Sequence, residues 1–266
     1  MTPALRRRHV VLVAIAAVLA GGAAIGLSVD GSTQKRADPI AASYPEGPLS
    51  HGDSLYYAEM GADRVSVVED VTARAFFTQR GCGPTAIAPY GDEGYLVLCH
   101  IGRRAVAVSA DGGLRIVADT LWYPNGVYVD QVHEHLYVSE HMAGRVLRFE
   151  IRQDGSLGPA STFARVSDAV RSDRYETPYE ETGPDGLEIG PNGELYVAVY
   201  GDGRVLRFAR DGGYRGAIEL PTRYATNITF LPDGRAATTG AFDNVAPPFP
   251  GEVRFHATED LTTRPH

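Results

Sequence analysis

Five polar residues recur at near-regular intervals in this 266-residue chain: Glu46, Thr85, Asn125, Asp185 and Asn227, separated by 39, 40, 60 and 42 residues. Four of them offer a carboxylate or amide oxygen. A set of oxygen donors with two carboxylates suits a hard cation, Ca2+ before Mg2+ or another divalent ion, because calcium accepts about six to eight oxygens at flexible geometry. Singly, each position reads as a turn residue, since Asp-Gly and Asn-Gly are common turn pairs. As a set in one register they read as a site. A second tier follows fifteen residues on, at His100, Glu140, Tyr200 and Phe242, with His141, Asp243 and Asn244 beside it. His100 is the candidate proton shuttle. Thr85, Asn227, Glu140, His141, Tyr200 and Asp243 are candidate pocket residues.

The elements that must position these residues repeat as well. The clearest unit begins at Gly183-Pro184-Asp185-Gly186-Leu187 and turns at Pro191-Asn192-Gly193. It continues as alternating strands through Glu194 to Tyr200, Gly203 to Phe208 and Tyr214 to Leu220. Four more units start at Glu46-Gly47-Pro48, Gly83-Pro84-Thr85, Tyr123-Pro124-Asn125 and Ala225-Thr226-Asn227, and Gly-Arg-Val-Leu-Arg-Phe occurs at both 144–149 and 203–208. The reading is an all-β fold: a β-propeller of four-stranded antiparallel blades, with five repeats visible, hence five-bladed or an incomplete six. In a propeller the first strand of each blade lines the central channel, so the five polar residues should converge at one of its mouths. The last unit lacks an obvious fourth strand, which Asp38 to Ala42 is expected to supply. Ser167 to Thr182, with seven charged residues and no periodicity, reads as a surface insertion.

With 44% hydrophobic and 22% charged residues and a formal net charge of −8, the composition is that of a folded domain. It gives no footing for nucleic-acid binding. Residues 1–30 differ in kind. Arg6-Arg7-Arg8 precede twenty uncharged residues, Val10 to Val29, the layout of an apolar helix serving as a signal peptide or as a membrane anchor. Residues 31–43 read as a linker and 44–266 as the propeller. Either fate of the leader makes the domain extracytoplasmic, secreted or held to the membrane by residues 10–29. Cys82 and Cys99 lie in neighbouring predicted strands of one unit, where a disulfide and two buried thiols are both open readings. Asn227-Ile228-Thr229 matches a glycosylation sequon, but its expected place in the channel argues against modification. No Gly-x-Ser-x-Gly elbow, His-Glu-x-x-His or phosphate loop is present.

The chain resembles the SMP-30/gluconolactonase family of calcium-dependent six-bladed propellers. The resemblance covers about residues 44–257 and is carried by Glu46-Gly47-Pro48, Pro124-Asn125-Gly126-Val127 with Leu136-Tyr137-Val138-Ser139, and Gly183-Pro184-Asp185-Gly186-Leu187 with Gly193 to Ala198. It implies that Glu46, Asn125 and Asp185 hold the metal, and that Asp185 is also the general base, acting on a metal-bound water that attacks a lactone carbonyl. One departure stands out. The family's further blade between the second and third units, opening with an Asn-Asp motif that lines the pocket, has no counterpart here.

Two functions of different class follow. The first is an exported metal-dependent hydrolase of the gluconolactonase type, opening a small lactone or related ester, with no membrane partner beyond an uncleaved leader. The second is a non-catalytic propeller that binds a small ligand or protein partner and keeps the metal for structure. A strictosidine-synthase-like propeller is a third reading, with less support from Glu46-Gly47-Pro48.

Overall fold

The computed structural model describes residues 40–69, 72–92, 94–171, 182–245 and 250–262. The expected N-terminal helix over 10–29 lies outside these residues. Within them, no helix is long and apolar enough to cross a membrane.

Among the described residues, nineteen strands form five antiparallel sheets in sequence order. The first sheet holds β1 (Pro45–His51), β2 (Ser54–Glu59), β3 (Arg64–Glu69) and β4 (Thr72–Thr78). The second holds β5 (Pro84–Tyr90), β6 (Gly94–Cys99), β7 (Arg104–Val108) and β8 (Leu114–Ala118). The third holds β9 (Pro124–Asp130), β10 (His135–Glu140), β11 (Arg145–Glu150) and β12 (Ser161–Arg165). The fourth holds β13 (Gly183–Ile189), β14 (Leu195–Tyr200), β15 (Arg204–Phe208) and β16 (Tyr214–Glu219). The fifth holds three strands, β17 (Tyr224–Phe230), β18 (Arg235–Ala241) and β19 (Gly251–Ala257).

The sheets are the blades of a five-bladed propeller. Their first strands lie side by side, β1 on β5, β5 on β9, β9 on β13 and β13 on β17. Four buried apolar clusters among the described residues lie between successive blades. One of them joins the second and third blades through Leu96, Leu98, Leu136, Val138, Leu147 and Phe149. Those two blades are therefore direct neighbours. Middle strands buried on both faces explain why β14 reads Leu-Tyr-Val-Ala-Val, with every one of these side chains buried.

The fourth strand expected for the last blade is not found. Ile40 to Ala42 are not in a strand, while Asp38 and Pro39 lie outside the described residues. After β19 the chain turns into a short helix, α1 (Thr258–Thr262), which buries Leu261 against the fourth and fifth blades. Leu261 is the apolar anchor of that helical turn, inside an otherwise polar and charged stretch. The stretch from Ser167 opens in a short 3-10 helix, Val166–Ala169, and 172–181 lie outside the described residues.

The repeated Gly-Arg-Val-Leu-Arg-Phe phrase builds β11 and β15, and its apolar residues fill the cores. Its first arginine pairs with a carboxylate at the end of the strand before it or in the turn that follows, and Arg64 does the same in the first blade. Arg145 meets Glu140 at 2.6 Å, Arg204 meets Asp202 at 2.5 Å, and Arg64 meets Glu59 at 2.7 Å in the first blade.

Candidate active site

Each of the five polar residues sits in a first strand where the register slips. The irregularities fall between Glu46 and Leu49, between Pro84 and Ala86, between Pro124 and Val127 opposite Ser139, between Pro184 and Leu187, and between Ala225 and Asn227. A bulge leaves an extra residue unpaired and re-aims its side chain, which is why such bulges gather beside active sites. Asp185-Gly186 and Asn125-Gly126 are thus strand bulges, not hairpin turns.

The glycines have a packing reason. A Cβ on Gly126 would come within 2.4 Å of the Asp185 carbonyl oxygen, and one on Gly186 within 2.2 Å of Asn227 Oδ1. Each blade's bulge therefore nests against the polar residue of the next. The sequence reading passed over Ser139, which fixes this arrangement: its Oγ accepts from Gly126 N–H and donates to the Asp185 carbonyl, both at 2.7 Å. A serine inside the apolar run Leu136-Tyr137-Val138-Ser139, buried in the structure, is the signal that was available.

Glu46 and Asp185 come together at the channel. Burial pushes the Glu46 carboxyl up to about 7. Asp185 is 6% exposed. Burial holds its carboxyl well above the usual range, the Glu46 charge raises it further, and the Gly186 N–H opposes both. Two desolvated like charges in electrostatic contact are donors of the kind a hard cation takes, and the half-buried Asn125 stands at the matching strand position of the third blade. Among the described residues, no group of three or more His, Cys, Asp and Glu side chains forms a cation site.

Around this pair the second tier is partly re-ordered. Four residues separate the first two strands of the third blade, whereas three separate Tyr90 from Gly94 in the second. His141, not Glu140, therefore falls level with His100. Glu140 is spent on the Arg145 ion pair and on accepting the Trp122 N–H at 2.7 Å. His100 Nδ1 lies 3.2 Å from the Pro124 carbonyl. The carbonyl can only accept, so Nδ1 carries the proton of the neutral ring and Nε2 is the basic atom. His141 packs edge-on to Tyr200 at 5.9 Å, and Tyr200 lies 4.9 Å from Tyr224. The Tyr200 hydroxyl is pushed up to about 12, by burial first, with Tyr44, Tyr224 and Asp185 adding and the Asn244 hydrogen bond opposing. Thr85 is buried and donates to the Pro124 carbonyl at 3.2 Å. Asn227 Oδ1 accepts from Ile228 N–H at 2.8 Å. Asp243 caps its own turn, accepting from Val245 N–H at 2.9 Å, and Phe242 is exposed.

Fold and site together define a five-bladed propeller whose channel mouth carries two carboxylates and an amide on bulged first strands. The sequence profile described as SMP-30/Gluconolactonase/LRE-like region matches residues 103–239, and the chain belongs to that family. Among its relatives, lactonase drp35 of Staphylococcus saprophyticus is 35% identical over 122 residues, 44% of this chain and 35% of that protein. The 6-deoxy-6-sulfogluconolactonase of Pseudomonas putida is 30% identical over 140 residues, 44% of this chain and 46% of that protein. The chain thus spans about a third to a half of the length of these relatives. A solved gluconolactonase from Xanthomonas campestris shares the fold, with a TM-score of 0.60, 23% identity, and coverage of 75% of this chain and 70% of that one.

Proposed function

We propose that this protein is an exported, cation-dependent hydrolase that opens a lactone or related ester at the channel mouth. The observation that carries the reading is the convergence of Glu46 and Asp185, both desolvated, on first strands that slip register, with Asn125 at the matching position of a third blade. The printed activities of the relatives, lactonase and 6-deoxy-6-sulfogluconolactonase, agree with that chemistry. Export is supported by the arginine-led apolar leader and by the Cys82–Cys99 disulfide, a bond that persists in oxidising compartments.

Glu46, Asn125 and Asp185 would hold the cation, Ca2+ by preference. When bound, it supplies a Lewis acid for the scissile carbonyl and offsets the two negative charges. Asp185 receives the proton of the attacking water as general base. His100, through Nε2, relays a proton at the rim toward the leaving alkoxide. Tyr200, kept neutral by its environment, acts as a hydrogen-bond donor facing the pocket. Ser139 holds the backbones that carry Asn125 and Asp185 at fixed separation.

The test is turnover of a lactone panel by the folded protein after chelation, during Ca2+ titration, and in Asp185→Ala. Metal-dependent turnover lost in the variant supports the reading. The count of five blades favours one alternative, a binding propeller whose cation is structural. Its mark would be no turnover together with a melting temperature raised by Ca2+ in the parent alone.

A further inference from the structure

Tyr44, Gly83 and Tyr123 stand two residues ahead of Glu46, Thr85 and Asn125 in the first three blades. All three have left-handed backbones, with φ of 54°, 51° and 51°. The carbonyl of each accepts an equivalent hydrogen bond, from the N–H of Met60, His100 and His141 at 3.1, 3.0 and 3.1 Å. That conformation strains any residue with a Cβ and costs glycine nothing. Gly83 shows that glycine meets the backbone requirement.

Two blades nevertheless place a tyrosine there, and neither ring is taken into a core: Tyr44 is 61% exposed and Tyr123 39%. Strained non-glycine residues gather at ligand clamps. Both rings border the site. Tyr123 packs edge-on to His100 at 4.9 Å, and Tyr44 is within electrostatic reach of Tyr200, which in turn feels Asp185. Beside Tyr123, Trp122 is 52% exposed with the Arg103 guanidinium 5.7 Å above its ring. Exposed aromatic side chains thus stand just ahead of Glu46 and Asn125 in the chain, and such rings offer apolar contact area at little conformational cost. A polyhydroxylated ring would call instead for converging donors and acceptors.

We infer that Tyr44 and Tyr123 are specificity determinants that clasp an alkyl or aryl substituent, so that the substrate class is a lactone with an apolar side chain. This rests on the lactone reading above. The test compares kcat/KM for a phenyl-substituted γ-butyrolactone with that for unsubstituted γ-butyrolactone. The proteins are the parent, Tyr44→Gly, Tyr123→Gly and, as a control on an exposed outer strand, Leu114→Ser. The expected selectivity for the phenyl substrate falls about tenfold in each tyrosine variant and stays at the parental value in the control. Melting temperatures stay within about 2 °C, because glycine suits the left-handed backbone.

Unchanged selectivity in both tyrosine variants overturns the inference. So does a tyrosine variant that changes the oligomeric state in light scattering, since the rings would then serve contact with a second copy. If the parent hydrolyses neither lactone, the lactone reading fails, and the clasp is read by binding alone. Trp122 is the chain's single tryptophan, so a phenyl-substituted lactam should quench its fluorescence saturably, about tenfold more weakly in the tyrosine variants. Absence of saturable quenching in the parent overturns the clasp.

Discussion

Cys99 and Glu140 occupy the same register position in neighbouring blades: Cys99 lies opposite Pro84 and Arg104, Glu140 opposite Pro124 and Arg145. Glu140 uses the place to hold the incoming chain, accepting the N–H of Trp122, three residues ahead of Asn125. Glu59 does the same for Ser43, three residues ahead of Glu46, at 3.0 Å. In the second blade Cys99 is bonded to Cys82, three residues ahead of Thr85. The disulfide is thus the covalent form of a clamp that the first and third blades make with a carboxylate, and all three fix the approach to a channel residue.

The disulfide should be worth about 3 kcal/mol, since it closes a loop of 17 residues. Reduction, or Cys82→Ser with Cys99→Ser, should lower the melting temperature by roughly 2 to 4 °C per kcal/mol lost. Replacing the pair by Cys82→Ser with Cys99→Glu should recover part of the loss, because Arg104 stands where Arg64 and Arg145 stand. Calorimetry of the two double variants checks this. Equal melting temperatures would break the equivalence.

The same junction carries a pH dependence. Asp63 accepts the N–H groups of Gly81 and Gly83, each at 2.8 Å, and these bonds, that of Gly81 first, hold its carboxyl below the usual range. A group depressed in the folded state stabilises above its unfolded value, about 3.9, and loses that contribution as the pH falls through the folded value. The melting temperature of Asp63→Asn should therefore lie below the parent's at pH 6, with the gap narrowing toward pH 3. A gap that stays constant with pH would assign the effect to packing.

Strand order, blade count and the five polar positions were legible in the sequence because two-residue alternation and a repeat near forty residues leave few other folds. Register was less legible. A fixed fifteen-residue offset grouped Glu140 with His100 and Tyr200, but one extra hairpin residue moves His141 into that place and leaves Glu140 to Arg145. Ser139 was hidden because its role is made by atoms 46 residues away, at Asp185. Asp-Gly and Asn-Gly looked like turns because the sequence does not show that the glycine is needed by the next blade. The fourth strand expected for the last blade does not form at Ile40 to Ala42, and the chain after β19 instead buries Leu261 in the core between the fourth and fifth blades, a contact that alternation along the sequence does not show.

Ser139→Ala should separate positioning from coordination. It leaves the buried Gly126 N–H and Asp185 carbonyl without the bonds that Oγ makes, at a cost of about 1 to 3 kcal/mol. It removes no cation donor. Calcium affinity measured by titration calorimetry should weaken while the stoichiometry is kept, whereas Asn125→Ala should weaken affinity with little loss of metal-free stability. Equal effects of the two variants on both quantities would mean that Ser139 positions nothing.

Asp185→Asn gives opposite signs with and without the cation. In chelator, the parent carries two desolvated carboxylates that disfavour each other's charge. The amide removes one of them at nearly the same volume, so the metal-free variant should melt above the metal-free parent. With calcium, only the parent should gain, by about 2.7 kcal/mol at a hundredfold excess over Kd, and the order should reverse. Lactone turnover should be lost in the variant under both conditions, because an amide cannot take the proton from water. A variant that melts below the parent in chelator would show that Asp185 is a structural hydrogen-bonding residue, and the cation site would then have to be sought without it.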